Sequence, residues 1–232
     1  MSASDPADAA DAADATAPTS EADAASSPAR DGPPDWTTDA LRLAWREHRP
    51  YVGFSVALFC LGILAGIAIY QADIDLFAAM GLESFGDLLP EDPTATFVFL
   101  NNTRVFFIFI FGALTGGLLT LVGLLFNGVI VGYVASLAAA QAGIGFVLLA
   151  LAPHGILELP ALFVASAVGF RVIGVVVNYV LDRRDELWTR AEVKRTLLLV
   201  LVAWVALGVA AVVEMHVTTW LLEQVFGGAG AA

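Results

Sequence analysis

Long apolar runs separated by short charged stretches dominate the chain from position 51 onward. A helix needs about 20 apolar residues to cross roughly 30 Å of hydrocarbon, and Tyr51 to Tyr70 meets that length without a charge. From Val105 to Pro153 no residue is charged, and a single helix of that length would run about 70 Å, so this run predicts two passes. Asn127-Gly128 supplies the turn chemistry between them, giving spans from Val105 to Phe126 and from Val129 to about Ala152. Gly143 and Gly145 leave two readings of the latter's far end, a full helix or a shorter one followed by a re-entrant piece around 142–160. A fourth span opens at Pro153, a residue suited to the first helical turn, and reaches Leu181 with Pro160 inside it. The fifth runs from Thr196 to Val213. The pattern predicts an all-α fold, a polytopic membrane helix bundle of about five transmembrane helices over residues 51–226.

The polar stretches complete the plan. Residues 1–35 are an acidic, Ala- and Asp-rich segment with almost no branched aliphatic side chain, expected to stay disordered because it has too little apolar surface to offset chain entropy. It lacks the basic start and apolar core of a secretory signal. Over residues 36–50, Leu41 and Trp45 fall on one side of a helix and Arg42, Arg46 and Arg49 on another, which predicts a short amphipathic helix in the membrane interface. Residues 71–96 carry six acidic side chains and no Lys or Arg, so they read as a connecting loop, and residues 227–232 read as a flexible end. Three basic residues precede the first span and five lie between the fourth and fifth. By the positive-inside rule the N-terminus is expected in the cytoplasm and the C-terminus outside the cell membrane.

Composition agrees with a bilayer as the chain's main partner. Of 232 residues, 58% are hydrophobic and 15% charged, against roughly 45–50% and 25% in soluble domains. The net charge of −12 belongs first to the tail, which with the next few positions holds 9 of the 23 acidic residues by residue 39. One lysine among 11 basic residues gives a halophile-like composition. The few basic side chains, confined to short flanks, exclude nucleic acid as a partner. A lone Cys60 excludes an intrachain disulfide or Cys-based metal site.

Small and polar residues inside the spans are the candidates for packing and chemistry. Gly62 and Gly66, Gly112 and Gly116, and Gly128 and Gly132 repeat a four-residue spacing that lets helix backbones approach closely. On one ideal helix Asn101, Gly112, Gly116, Gly123 and Asn127 share about an 80° arc, a face expected to pack on protein. His154 and Glu158 share a face of the fourth helix with Ala161, Ala165 and Gly169. Glu158 and Arg171 carry charge within the spans, where at least ~2.5–3.5 kcal/mol opposes insertion. The expectation is an outer polar cluster centred on a Glu158–Arg104 pair, with Asn101, Asn102, His154, Glu214 and His216 at the same level. Arg171, about 20 Å deeper, is expected to meet Asn127 and carbonyls freed at a helix end. No H-E-x-x-H, nucleophile elbow or Walker A pattern occurs, so no catalytic residue, metal ligand or cofactor is assigned, and the chain is read as a non-enzyme.

The residues Asn101-Asn102-x-Arg104, Asn127-Gly128 and above all Pro153-His154-Gly155-Ile156-Leu157-Glu158-Leu159-Pro160-Ala161, continued by Gly169-Phe170-Arg171, resemble the stage II sporulation protein M family over about residues 40–213. The resemblance implies a polytopic membrane protein without an established enzymatic activity, with Pro153, His154, Gly155, Glu158 and Pro160 in the family's motif. The family's namesake is similar to a membrane anchor for peptidoglycan-degrading partners. The expected function is therefore a component that organises envelope-associated membrane protein partners, or itself, or recognises an envelope ligand. The alternative is a permease or channel-like transporter using Glu158 and Arg171.

Overall fold

The computed structural model describes residues 36–83 and 94–226, with the side chains of Pro153 and His154 among the few left undescribed inside the helices. The expectations for residues 1–35 and 227–232 lie outside the described residues. Those described are helical, with no strand. Helix α1 is Trp36–Gln71, α2 Leu76–Ala79, α3 Ala95–Phe111, α4 Leu118–Val180, α5 Arg190–Val213 and α6 Thr219–Phe226. A 3₁₀ turn, Gly112–Thr115, follows α3, and a π-helical turn, Glu214–Thr218, joins α5 to α6. Among the described residues, five segments are long and apolar enough to cross a membrane: Thr37–Gln71, Ala95–Thr115, Leu118–Ala152, Gly155–Val180 and Arg190–Thr218.

Helix α1 is continuous through Pro50, so the segment 36–50 is not a separate element. Its buried side, Ala44 and His48, continues in register into Ser55, Phe59, Gly62 and Gly66, a stripe at three- and four-residue spacing that one helix presents to the core. Leu43 and Trp45 remain exposed on another side.

The break between the second and third spans lies at Gly116-Gly117, eleven residues before Asn127-Gly128. Gly116 (φ 64°) and Gly117 (φ 86°) both take the left-handed conformation, which glycine adopts without Cβ strain. The hairpin is sealed by Thr120, whose buried hydroxyl donates to the Phe109 carbonyl at 2.8 Å. Asn127 stands inside α4, where its amide donates to the Gly123 carbonyl one turn back at 2.8 Å. The apolar run therefore hid a tighter turn made by two glycines rather than by Asn-Gly. The expected shared face of Asn101, Gly112, Gly116, Gly123 and Asn127 does not exist as one helical surface, because the chain reverses within it.

Helix α4 is interrupted once, at Gly143 (φ 83°, ψ 162°). Residues 130–138 and 146–151 face each other across a cavity of about 290 Å³, so the chain folds back at Gly143. The re-entrant reading of 142–160 gives way to a helical hairpin whose descending arm, 144–180, is about 55 Å long. That arm carries the core: Ala161, Ala165, Ala167 and Val168 are buried, and Leu124, Phe106, Phe109, Leu199, Ala203 and Leu207 close around the same centre.

Four of the predicted packing glycines form one seam. A Cβ on Gly62 would overlap the Leu125 carbonyl, one on Gly66 the Val129 carbonyl, one on Gly128 the Phe59 carbonyl, and one on Gly132 the Ile63 carbonyl. The backbones of α1 and the ascending arm of α4 are thus in direct contact, as small-xxx-small spacing allows. Gly123 faces the Phe109 ring and Gly112 faces Thr120, both against protein. Gly116 has open space where a side chain would point, so it serves the turn and not the packing. Gly169, at the end of the small-residue face of Ala161 and Ala165, is pressed on the Phe109 carbonyl and provides a close approach of α3 to α4.

Candidate functional site

Glu158 lies on the descending arm of α4, half-buried, with the Asn102 side chain of α3 as its polar neighbour and Glu214 close enough to act on it electrostatically. The next residue of α3, Thr103, accepts a bond from the Trp204 indole N–H of α5 at 3.1 Å, and Trp204 packs on Phe99 with ring centres 5.5 Å apart. Polar groups from three helices thus meet at one level. Arg104 is not among them. It is exposed, and no ion pair joins it to Glu158. Two residues along a helix turn the side chain about 200°, so Asn102 and Arg104 cannot face the same neighbour. Asn101, also exposed, is turned about 100° from Asn102. The Glu158–Arg104 pair is corrected to Glu158–Asn102.

The remaining motif positions contribute shape. Gly155 is half-buried with only Leu159 within reach of a Cβ, and Pro160 is exposed within an uninterrupted helix. His216 spends its ring N–H on the Val212 carbonyl of its own helix at 3.0 Å. Among the described residues, no three His, Cys, Asp or Glu side chains converge in the manner of a metal site.

Arg171 makes a second, larger polar centre at the other end of the bundle. Its side chain is 5% exposed and bridges two carboxylates, Glu47 of α1 at 2.9 Å and Glu192 of α5 at 3.3 Å. Arg195 of α5 donates to the other oxygen of Glu47 at 2.6 Å. Arg184, from the loop before α5, holds both oxygens of Glu192 at 3.0 Å. The order Arg195–Glu47–Arg171–Glu192–Arg184 alternates in sign and links three helices. A planar guanidinium with several donors suits such bridging, where a lysine would offer a single point charge. The Trp188 ring lies 4.9 Å from the Arg171 guanidinium, adding a cation–π contact. Glu192 also closes a capping box with Thr189, which fixes the start of α5.

The expected Arg171–Asn127 contact is therefore replaced, because the second span does not end at Asn127 and frees no carbonyls there. Both Glu158 and Arg171 do face protein. Glu47, Arg184, Glu192 and Arg195 are partners that sequence reasoning misses: Arg184 and Arg195 enter it only as flanking basic charge, and Glu47 and Glu192 not at all. Their signal was available in Glu47, an acid set among Arg42, Arg46 and Arg49, and in the T-x-x-E pattern of Thr189 and Glu192.

The sequence model described as Stage II sporulation protein M matches residues 55–219. An uncharacterized protein of Methanocaldococcus jannaschii is 30% identical over 122 residues, which cover 52% of this chain and 68% of that protein. No solved structure matches. The matched region runs from within α1 to the start of α6 and takes in the latter half of the first apolar span, the other four spans, the glycine seam, Glu158 and Arg171. The chain belongs to the stage II sporulation protein M family.

Proposed function

We propose that this protein is a non-enzymatic membrane component that organises partner proteins, with the Asn102–Glu158 level as its recognition element. The observation that carries the reading is the backbone-to-backbone seam of Gly62, Gly66, Gly128 and Gly132. Together with the five-charge chain centred on Arg171, it ties α1, α4 and α5 into one body. Such a body suits a platform that presents a fixed surface. A transporter would need helices that slide or rock past each other, and sliding here would move the glycines off the facing backbone carbonyls that they fit.

The orientation belongs to the same proposal. The basic N-terminal part of α1 and the basic residues around the start of α5 meet at one end through Glu47, Arg184, Glu192 and Arg195, and the positive-inside rule assigns that end to the cytoplasm of the cell. Affinity purification of the full chain from native membranes, followed by mass spectrometry, tests the role. Specific co-purifying membrane proteins, lost when Gly66→Leu parts the seam, support it. An absence of specific partners together with solute flux in reconstituted vesicles that Glu158→Gln abolishes would refute it in favour of a permease.

A further inference from the structure

A groove of about 760 Å³ opens between the start of α1 and the first three turns of α5. On α5 its lining runs Ala191, Lys194, Leu198, Leu201, a three- and four-residue spacing that stacks these side chains along one face. Leu197, 61% exposed, and Leu43 of α1 complete the apolar wall. The groove is therefore graded along its length, basic at the loop end of α5 and wholly apolar about 10 Å further into the bundle.

The charges around its basic end are unequal. Lys194 is exposed, and among the described residues no carboxylate pairs with it. Arg195 lines the same end, and its Nε is buried without a hydrogen-bond partner. The acids nearby are already engaged: Asp39, on the groove's other wall, pairs with Arg42 at 3.3 Å, and Glu47 and Glu192 are held by Arg171, Arg184 and Arg195. Three arginines against two glutamates leave the adjoining network with a net positive charge.

We infer that this groove binds one anionic glycerophospholipid, its phosphate at Lys194 and Arg195 and an acyl chain along Leu43, Leu197 and Leu201. A basic pocket between transmembrane helices at a headgroup level is the arrangement that selects anionic lipids. The apolar wall separates a lipid from a free phosphate, which would gain nothing from three exposed leucines. A bound lipid would join α1 to α5 at the edge of the Arg171 network, where the two helices otherwise meet only through Glu47 and Arg195 among the ion pairs.

The full chain, delipidated in detergent, is titrated with dioleoyl phosphatidylglycerol and in parallel with dioleoyl phosphatidylcholine, and occupancy is read by native mass spectrometry. The first phosphatidylglycerol should bind about tenfold more tightly than phosphatidylcholine. Lys194→Gln should remove about fivefold of that preference while leaving phosphatidylcholine unchanged. Leu201→Trp, which leaves every charge in place, should weaken both lipids, and millimolar inorganic phosphate should not displace the bound lipid. Equal binding of the two lipids, or a Lys194→Gln variant with wild-type preference, overturns the assignment. So does full displacement by phosphate, which would make the site one for a free anion. A dimer that Leu201→Trp converts to monomer would show that a second copy covers the groove, and would equally overturn it.

Discussion

Alanine at the seam glycines should part α1 from α4, and the size of the effect follows from the contacts. A Cβ on Gly66 lies 2.8 Å from the Tyr133 nitrogen and closer still to the Val129 carbonyl, and one on Gly128 lies 2.9 Å from the Gly62 Cα. Ordinary non-bonded contact is about 3.5–4.0 Å, and the opposing atoms are backbone, so no rotamer change relieves the clash. The helices must separate by about 1 Å. In a bilayer, helix association rests on van der Waals contact, and a gap of that size forfeits about a quarter to a half of each atom pair's attraction. Overpacking of this kind costs about 1–3 kcal/mol, which for a chain of this length lowers Tm by about 2–4 °C per kcal/mol. Thermal unfolding in detergent, followed by tryptophan fluorescence, should show Gly66→Ala and Gly128→Ala about 5 °C below wild type. Gly53→Ala and Gly145→Ala, where a Cβ meets nothing within 4 Å, should match wild type or exceed it, since alanine is the better helix former. The double variant Gly62→Ala/Gly128→Ala should cost less than the sum of its parts, because one separation relieves both facing sites. Seam variants indistinguishable from Gly53→Ala, or strict additivity in the double variant, would refute the close approach.

Arg171→Gln should destabilise the chain by about 3 kcal/mol, the loss expected when one partner of a buried ion pair is removed, and Arg171→Lys should recover little because it cannot span Glu47 and Glu192 while stacking on Trp188. Both are read in the same melting assay. Glu158→Gln should keep the contact with Asn102 and melt within about 1 kcal/mol of wild type, while Glu158→Leu should lose about 1–3 kcal/mol by leaving the Asn102 amide unsatisfied. Trp204→Phe should lose about 1 kcal/mol with the Thr103 hydrogen bond. Cysteines placed at Asp73 and Asp182, in a Cys60→Ala background, should react with an impermeant thiol reagent from opposite faces of sealed membranes, Asp73 from outside; labelling from one face only would refute the five-pass topology.

The number of spans was legible because about 20 apolar residues per pass is a demand of bilayer thickness, and Tyr51–Tyr70 and Thr196–Val213 satisfy it without ambiguity. The turns were harder to read, since Gly116-Gly117, Asn127-Gly128 and Gly143 offer comparable break chemistry within one uncharged run. Only the packing chooses among them: Gly128 is occupied by the seam with Gly62, which requires a continuous helix there. The same logic explains the polar errors. Depth along an axis was estimated correctly enough to bring Asn102 near Glu158, yet the rotation of α3 decides that Asn102, and not Arg104, faces inward. Partners of Arg171 were beyond reach of local pattern, because Glu47 lies 124 positions away in sequence.

The two charged centres differ in a way that bears on function. Around Arg171 each carboxylate of Glu47 and Glu192 is held by two arginines, an arrangement that disfavours exchange of partners because every move strands a charge in a poorly solvated place. Glu158, by contrast, has the neutral Asn102 amide and another acid as its neighbours, and among the described side chains no ion pair holds it. A group so placed has capacity to spare for a further donor. The Arg171 centre thus acts as the clamp, and Glu158 is where a ligand or partner side chain with a hydrogen to donate would gain most. Separating the two is direct: Arg171→Gln should lower melting temperature and partner recovery together, whereas Glu158→Gln should lower partner recovery alone. A Glu158→Gln chain that melts like wild type and retains every partner would remove Glu158 from the recognition element and leave it as a packing residue.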